Sequence, residues 1–217
     1  MRLTSDFFDC DAVVLAQKLI GMLICRKYNG ITLKAQIIET EAYAVDDKAS
    51  HGSLGFTKKR QALFMAPGTI YMYYSRGSDS FNISAKGKGA AVLIKSAIVP
   101  DVMLNDEKVV SVMHRLNPVN DRKRDVLRLL SGQTLLCKAL NITVKEWDQK
   151  QFNDDLYLED QQYTPACIIA TNRLGIPLHR DADLMYRYID HNYVTRSTKN
   201  PLTMRVKPVY ELIKPRG

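Results

Sequence analysis

A chain of 217 residues, 46% of them hydrophobic and 25% charged, carries enough apolar mass for one packed domain and none of the marks of a disordered, fibrous or disulfide-framework protein. Mean hydropathy is -0.21, and the apolar run from Val13 to Cys25 is broken by Gln17, Lys18 and Gly21, which excludes a membrane span there. The formal net charge of +8 asks for a polyanionic partner.

Met1 to Asp6 lacks the apolar core of a signal peptide. Asp9 or Asp11 is placed to cap a helix carrying Val14, Ala16 and Leu19-Ile20, with Gly21 as its stop. Met22 to Tyr28 reads as a strand, Asn29-Gly30 as a two-residue hairpin turn, and Ile31 to Ile37 as the alternating return strand. Glu39, Glu41 and Tyr43 continue one face of that strand if it stays extended. Residues 44–66 read as a long loop with a short helix near Lys59 to Phe64, and a loop of that length is usually functional. Pro67-Gly68 is a turn, Thr69 to Tyr74 a strand, Gly77 to Gly89 a turn-rich connection, and Ala90 to Val99 a strand.

Helical periodicity covers Asp101 to Leu116, Asp125 to Leu130 and Leu135 to Leu140. Lys145 to Tyr163 is polar and irregular. Ala166 to Thr171 and Tyr186 to Ile189 are candidate strands, and the basic tail is expected to fray from about residue 197. The sum is a single α+β domain over residues 1–217 with a curved antiparallel sheet flanked by helices.

Charge is unevenly spread. Between Gly52 and Pro100, seven Lys and Arg residues face one acid, Asp79. Glycines and aromatics interleave with these cations, which favours phosphate neutralisation over a merely solvated face. Cys10, Cys25, Cys137 and Cys167 never form Cys-x-x-Cys and read as small buried hydrophobes in a reducing compartment. The four histidines show no metal-ligand spacing, so neither a metal nor another cofactor is expected.

The chemistry concentrates between Ile37 and Ser84. Glu41 ends an apolar run beside Tyr43, with His51, Tyr73 and Asn82 further on. One carboxylate can deprotonate water and stabilise an oxocarbenium-like sugar. A second, proton-donating carboxyl is dispensable when the leaving purine is already cationic. Glu41 is the candidate base and Glu39 the runner-up. Tyr43, Tyr73 and His51 can sandwich an extruded base, and Asn82 can inspect an exocyclic group.

The order of these residues resembles the monofunctional alkyladenine (3-methyladenine) DNA glycosylase family. The resemblance runs through Leu19-Ile20-Gly21, Ile38-Glu39-Thr40-Glu41-Ala42-Tyr43, His51, Phe64 to Tyr73, Asn82-Ile83-Ser84 and Ala91 to Lys95. It resumes at Leu136 to Ile142, Arg173-Leu174-Gly175-Ile176 and Tyr186-Arg187-Tyr188. It implies hydrolysis of the N-glycosidic bond of flipped-out alkylated purines in duplex DNA, leaving an abasic site. A monomer is expected, and the compact length without a targeting extension points to a cytoplasmic, nucleoid-associated enzyme. The resemblance also implies Glu41 as general base, Tyr43, His51 and Tyr73 as stacking partners, and Asn82 as the gate against guanine. Ile176 would offer a backbone carbonyl to the water, and Lys95 replaces a family arginine near water and phosphate.

The position of the family's intercalating side chain falls on Arg76. A planar guanidinium is a poorer wedge than tyrosine. Ser131-Gly132-Gln133 stands where the family has Gly-Pro, and Tyr186 where it has Trp. No lysine is obviously placed as a Schiff-base nucleophile, so strand cleavage is not expected. The competing readings are a catalytically impaired damage-recognition module on the same scaffold and an RNA-directed protein.

Overall fold

The computed structural model describes residues 1–75, 77–120, 122–206 and 208–215. Asp11 Oδ1 accepts hydrogen bonds from the Val13 and Val14 amides at 3.0 and 2.9 Å, capping α1 (Ala12–Lys18). The strands that follow are β1 (Leu23–Tyr28), β2 (Ile31–Tyr43), β3 (Ile70–Ser75), β4 (Ser78–Ser84) and β5 (Ala91–Ile98). Three short helices come next: α2 (Glu107–Leu116), α3 (Gln133–Ala139) and α4 (Val144–Trp147). The chain closes with β6 (Leu156–Glu159), β7 (Ile168–Thr171), β8 (Arg187–Asp190) and β9 (Tyr210–Ile213).

All strand pairs among the described residues are antiparallel, in the order β3-β4-β5-β2-β8-β7-β9, with β1 bridging β2 and β6. The sheet forks along β2. Ile31 to Gln36 pair with β1, whereas Glu39 to Glu41 pair with β8. The opposite edge of β2 pairs with β5 through two register shifts: Ile38 is the extra residue on β2, and Lys95 the extra residue on β5. Bulges bend a strand and re-aim its side chains, and these two lie beside Glu39 and Glu41.

Side chains alternate across the sheet. One face carries Ile37, Ala42, Ile70, Met72, Phe81, Ile83, Val92 and Ile94 into the main core, where Leu15 of α1, Val112 and Met113 of α2, and Leu136 and Cys137 of α3 cover it. The other face carries Glu41, Tyr43, Tyr71, Tyr73, Asn82, Leu93 and Lys95, and there the sheet forms the floor of a cleft. No helix among the described residues is long and apolar enough to cross a membrane.

The α+β class and antiparallel sheet match the sequence reading, with four local differences. β4 occupies part of the expected turn-rich connection: Gly77 (φ 76°) makes the turn and Ser78–Ser84 then pairs with both β3 and β5. Its polar residues find partners, since Asp79 accepts from the Val144 amide and Ser80 from the Gln133 side chain. β6 lies in the expected irregular segment, burying Leu156 and Leu158. The span 101–116 is split by Asp106, which caps α2. The tail expected to fray is paired instead: β9 adds to β7 from Ile168↔Ile213 to Thr171↔Tyr210. The cysteines also divide, with Cys25 and Cys137 buried but Cys10 and Cys167 only partly so. Burial, together with the Glu159 carboxylate, pushes the Cys25 thiol up to about 12 and so keeps it protonated.

The loop of residues 44–66 folds back over the cleft as two 3-10 turns, His51–Leu54 and Lys58–Phe64. It is fastened where two glycine backbones touch, as a Cβ on Gly52 would run into the Gly89 carbonyl. Ser50 Oγ donates to that carbonyl at 3.1 Å, and the Gly89 amide donates to Leu63 O at 2.8 Å. Gly52→Val is therefore expected to lift the turn carrying His51, lowering stability by about 1–3 kcal/mol through overpacking. Chemical denaturation checks the stability, and a smaller protection of the His51 segment in hydrogen exchange checks the location.

Candidate active site

Two carboxylates leave the same strand two residues apart and meet different fates. Glu39 is fully buried. Its Oε1 accepts from Arg187 Nε at 2.7 Å. Its Oε2 accepts from Ser96 Oγ, from the Thr198 amide at 2.8 Å and from Thr198 Oγ1 at 3.0 Å. A carboxylate offers about four acceptor positions, so Glu39 has none left. The runner-up base is thereby committed to structure and does not line the cleft.

Glu41 is 1% exposed, yet it forms part of the cleft wall. Tyr43 donates its hydroxyl to Glu41 Oε2 at 2.8 Å. Lys95 Nζ lies 3.2 Å from Oε1, with the lysine side chain 12% exposed. The Leu174 amide approaches Oε1 at 3.4 Å, beyond the usual range for a strong N–H···O bond. Glu41 is thus oriented on both oxygens and retains acceptor capacity toward the cavity. Burial and the neighbouring Glu41 charge push the Tyr43 phenol well above its ordinary value, so it stays a neutral donor.

The cleft encloses about 610 Å³, inside the roughly 300–1,000 Å³ of small-molecule sites. Three rings form its aromatic end. His51 Nδ1 and the Tyr71 hydroxyl are 2.8 Å apart, and the His51 and Tyr73 centroids are 4.5 Å apart. Tyr71 and Tyr73 sit 5.6 Å apart at 32°. Burial, aided by the Arg60 and Arg180 charges, lowers the His51 titration point below its ordinary 6.5, so the imidazole is neutral at pH 7. Tyr71 was not singled out from the sequence, though its position two residues before Tyr73 puts both rings on one face.

Tyr43 is held from behind. Arg173 lies over its ring at 4.7 Å, donates to Ala42 O at 2.9 Å, and pairs with Asp47 in a fully buried ion pair. Asn82 is buried and uses its amide NH₂ on Tyr71 O at 3.1 Å and Ser80 O at 3.5 Å. Ile176, with Leu174 and Gly175, walls the side of the cleft near Glu41. The structure therefore brings together Glu41, Tyr43, His51, Tyr73, Asn82, Lys95 and Ile176. Arg76 lies outside the described residues. Sequence reasoning also passed over Gln133, Thr198 and Lys199, which line the same cleft from distant parts of the chain. Among the described residues no three His, Cys, Asp or Glu side chains converge as a metal-binding group.

Residues 6–193 match the family model described as methylpurine-DNA glycosylase (MPG). A relative from Pseudomonas syringae pv. syringae (strain B728a) is 50% identical over 202 residues, covering 92% of this chain and 91% of the relative. One from Pseudomonas aeruginosa (strain LESB58) is 46% identical over 202 residues, covering 92% and 84%. A more distant one from Clostridium botulinum (strain Loch Maree / Type A3) is 38% identical over 195 residues, covering 87% and 95%. All three bear the name "Putative 3-methyladenine DNA glycosylase".

The Glu39–Arg187 pair yields a stability prediction. Glu39→Ala strands a fully buried guanidinium and the Thr198 donors, and removing one partner of such a pair costs about 3–5 kcal/mol. Urea denaturation is expected to show a loss of that size, against a far smaller one for exposed Arg2→Ala, whose partner Asp154 is solvated.

Proposed function

The chain belongs to the methylpurine-DNA glycosylase family and is a DNA repair enzyme that removes alkylated bases, and from that premise we propose how its cleft does so. Glu41 is the general base. It accepts a proton from water as the water attacks C1′ of the extruded nucleotide, and its remaining charge steadies the oxocarbenium-like sugar. The base leaves with the glycosidic electron pair. An alkylated purine already carries positive charge, so it departs neutral and needs no proton donor. The observation that carries this reading is the contrast between Glu39, saturated by four hydrogen bonds, and Glu41, oriented by Tyr43 and Lys95 while still open to the cavity.

Lys95 pairs with Glu41 in the resting site, and the carbonyl of Ile176 is the second acceptor for the water. Tyr43, His51 and Tyr73 bind the base between π faces, which favours a cationic ring over a neutral one. Asn82 reads the exocyclic edge. Arg76, which lies outside the described residues, fills the gap left in the duplex. The enzyme acts on duplex DNA as a monomer. The basic excess of +8 suits work on the nucleoid in the cytoplasm.

Glu41→Gln is expected to retain affinity for a lesion duplex and to lower single-turnover excision by about 10²–10⁴-fold. Turnover at the wild-type rate removes Glu41 from the mechanism. The pH dependence is signed by His51. Its folded-state titration point lies below 6.5, so the neutral ring persists through pH 7 and is lost only as pH falls. Protonation places a cation beside a cationic base and takes the Nδ1 lone pair from Tyr71. Affinity for a duplex carrying 3-methyladenine is expected to be flat above pH 6.5 and to decline below it, beyond the decline of His51→Gln. Identical acid limbs in the two proteins contradict this assignment.

A further inference from the structure

Two ammonium groups line the cleft, and their surroundings differ. Lys95 is paired with Glu41. Lys199 is exposed, and among the described residues no carboxylate lies within ion-pair distance of it. Its backbone is nevertheless tightly fixed. Arg187 Nη2 donates to Lys199 O at 2.6 Å, and Thr198 donates twice to Glu39. Ser131 Oγ donates to Arg196 O at 2.6 Å and Arg128 Nη1 to Thr195 O at 2.7 Å.

Ordering a backbone costs conformational entropy. Here residues 195–199 are held over the fork of the sheet by hydrogen bonds to a buried ion pair and to its neighbours. The result is a strap that delivers one uncompensated cation to the rim of the cleft. The family match ends at residue 193, just before it.

A cation in that place is unfavourable for the chemistry alone, because both the alkylated base and the developing sugar are positive. It becomes favourable only if an anion arrives with the substrate. We infer that Lys199, presented by this strap, binds a DNA backbone phosphodiester next to the extruded nucleotide. The inference rests on the base-excision reading of the cleft. Lys199 is a binding residue. Glu39 and Arg187 act through it and are positioning residues.

The test uses the full chain and a duplex with one reduced abasic site, which binds without being cut. Its dissociation constant is measured between about 50 and 200 mM salt. One lost phosphate contact lowers the slope of log affinity against log salt by about 0.9. Lys199→Ala is expected to show that drop with an unchanged melting temperature, and Lys199→Arg to keep the wild-type slope. Methylphosphonate substitution of the phosphates flanking the abasic site is expected to weaken wild type and leave Lys199→Ala indifferent. An unaltered slope in Lys199→Ala, or an equal methylphosphonate penalty in both proteins, overturns the inference. Excision of 3-methyladenine by wild type, run alongside, separates the two failures. No excision sinks the base-excision reading, whereas excision with an unaltered slope sinks only the role of Lys199.

Discussion

The buried pair between Glu39 and Arg187 is the contact on which the active face depends. It joins β2 to β8 where the sheet forks, and through Ser96 and Thr198 it fastens β5 and residues 197–199 to the same carboxylate. Buried pairs are poor sources of net stability, because desolvation consumes most of the Coulombic gain. What this one supplies is placement. The two register shifts beside it turn Lys95 toward Glu41, and Arg187 holds the carbonyl of Lys199. The Arg173–Asp47 pair performs a similar task one layer higher, fixing the ring of Tyr43 and the carbonyl of Ala42.

Much of this was readable from local sequence because local rules govern it. The Asp11 cap, the Asn29-Gly30 hairpin and the alternation that sets Glu39, Glu41 and Tyr43 along β2 each depend on residues close in the chain. β4 was hidden because its first residues, Ser78, Asp79 and Ser80, are turn formers. Their partners, Gln133 and the Val144 amide, come from more than fifty residues away. β9 was hidden for a related reason. Its residues are exposed on a short edge strand, so pairing with β7 rather than side-chain burial marks it as structure.

The choice between Glu39 and Glu41 shows where local reading stops. Alternation gives both the same face, and nothing near them in sequence separates a structural acid from a chemical one. The separation is made by Arg187 and Thr198, 148 and 159 residues further on. The same holds for Lys199, whose sequence neighbourhood is an ordinary polar tail. Only the fold shows that the tail has been tied to the acid beneath the cleft.

Charge gives these placements a common logic. Unit charges 4 Å apart interact by about 4 kcal/mol at an effective dielectric near 20, so an unbalanced charge in the cleft is not neutral to the reaction. In the resting site Lys95 and Glu41 cancel at 3.2 Å. In the mechanism proposed here Glu41 takes the proton of the attacking water; that cancellation then ends, and Lys95 faces a positive sugar with its partner discharged. The protein supplies no second carboxylate to absorb the change, because Glu39 is fully engaged. The remaining source of negative charge is the DNA itself. A phosphodiester held at the rim compensates Lys95 as well as its own ligand, so the substrate completes the electrostatic environment that the enzyme leaves open. A free nucleoside with the same alkylated base lacks that anion, and its excision should be slower at saturation, not only weaker in binding.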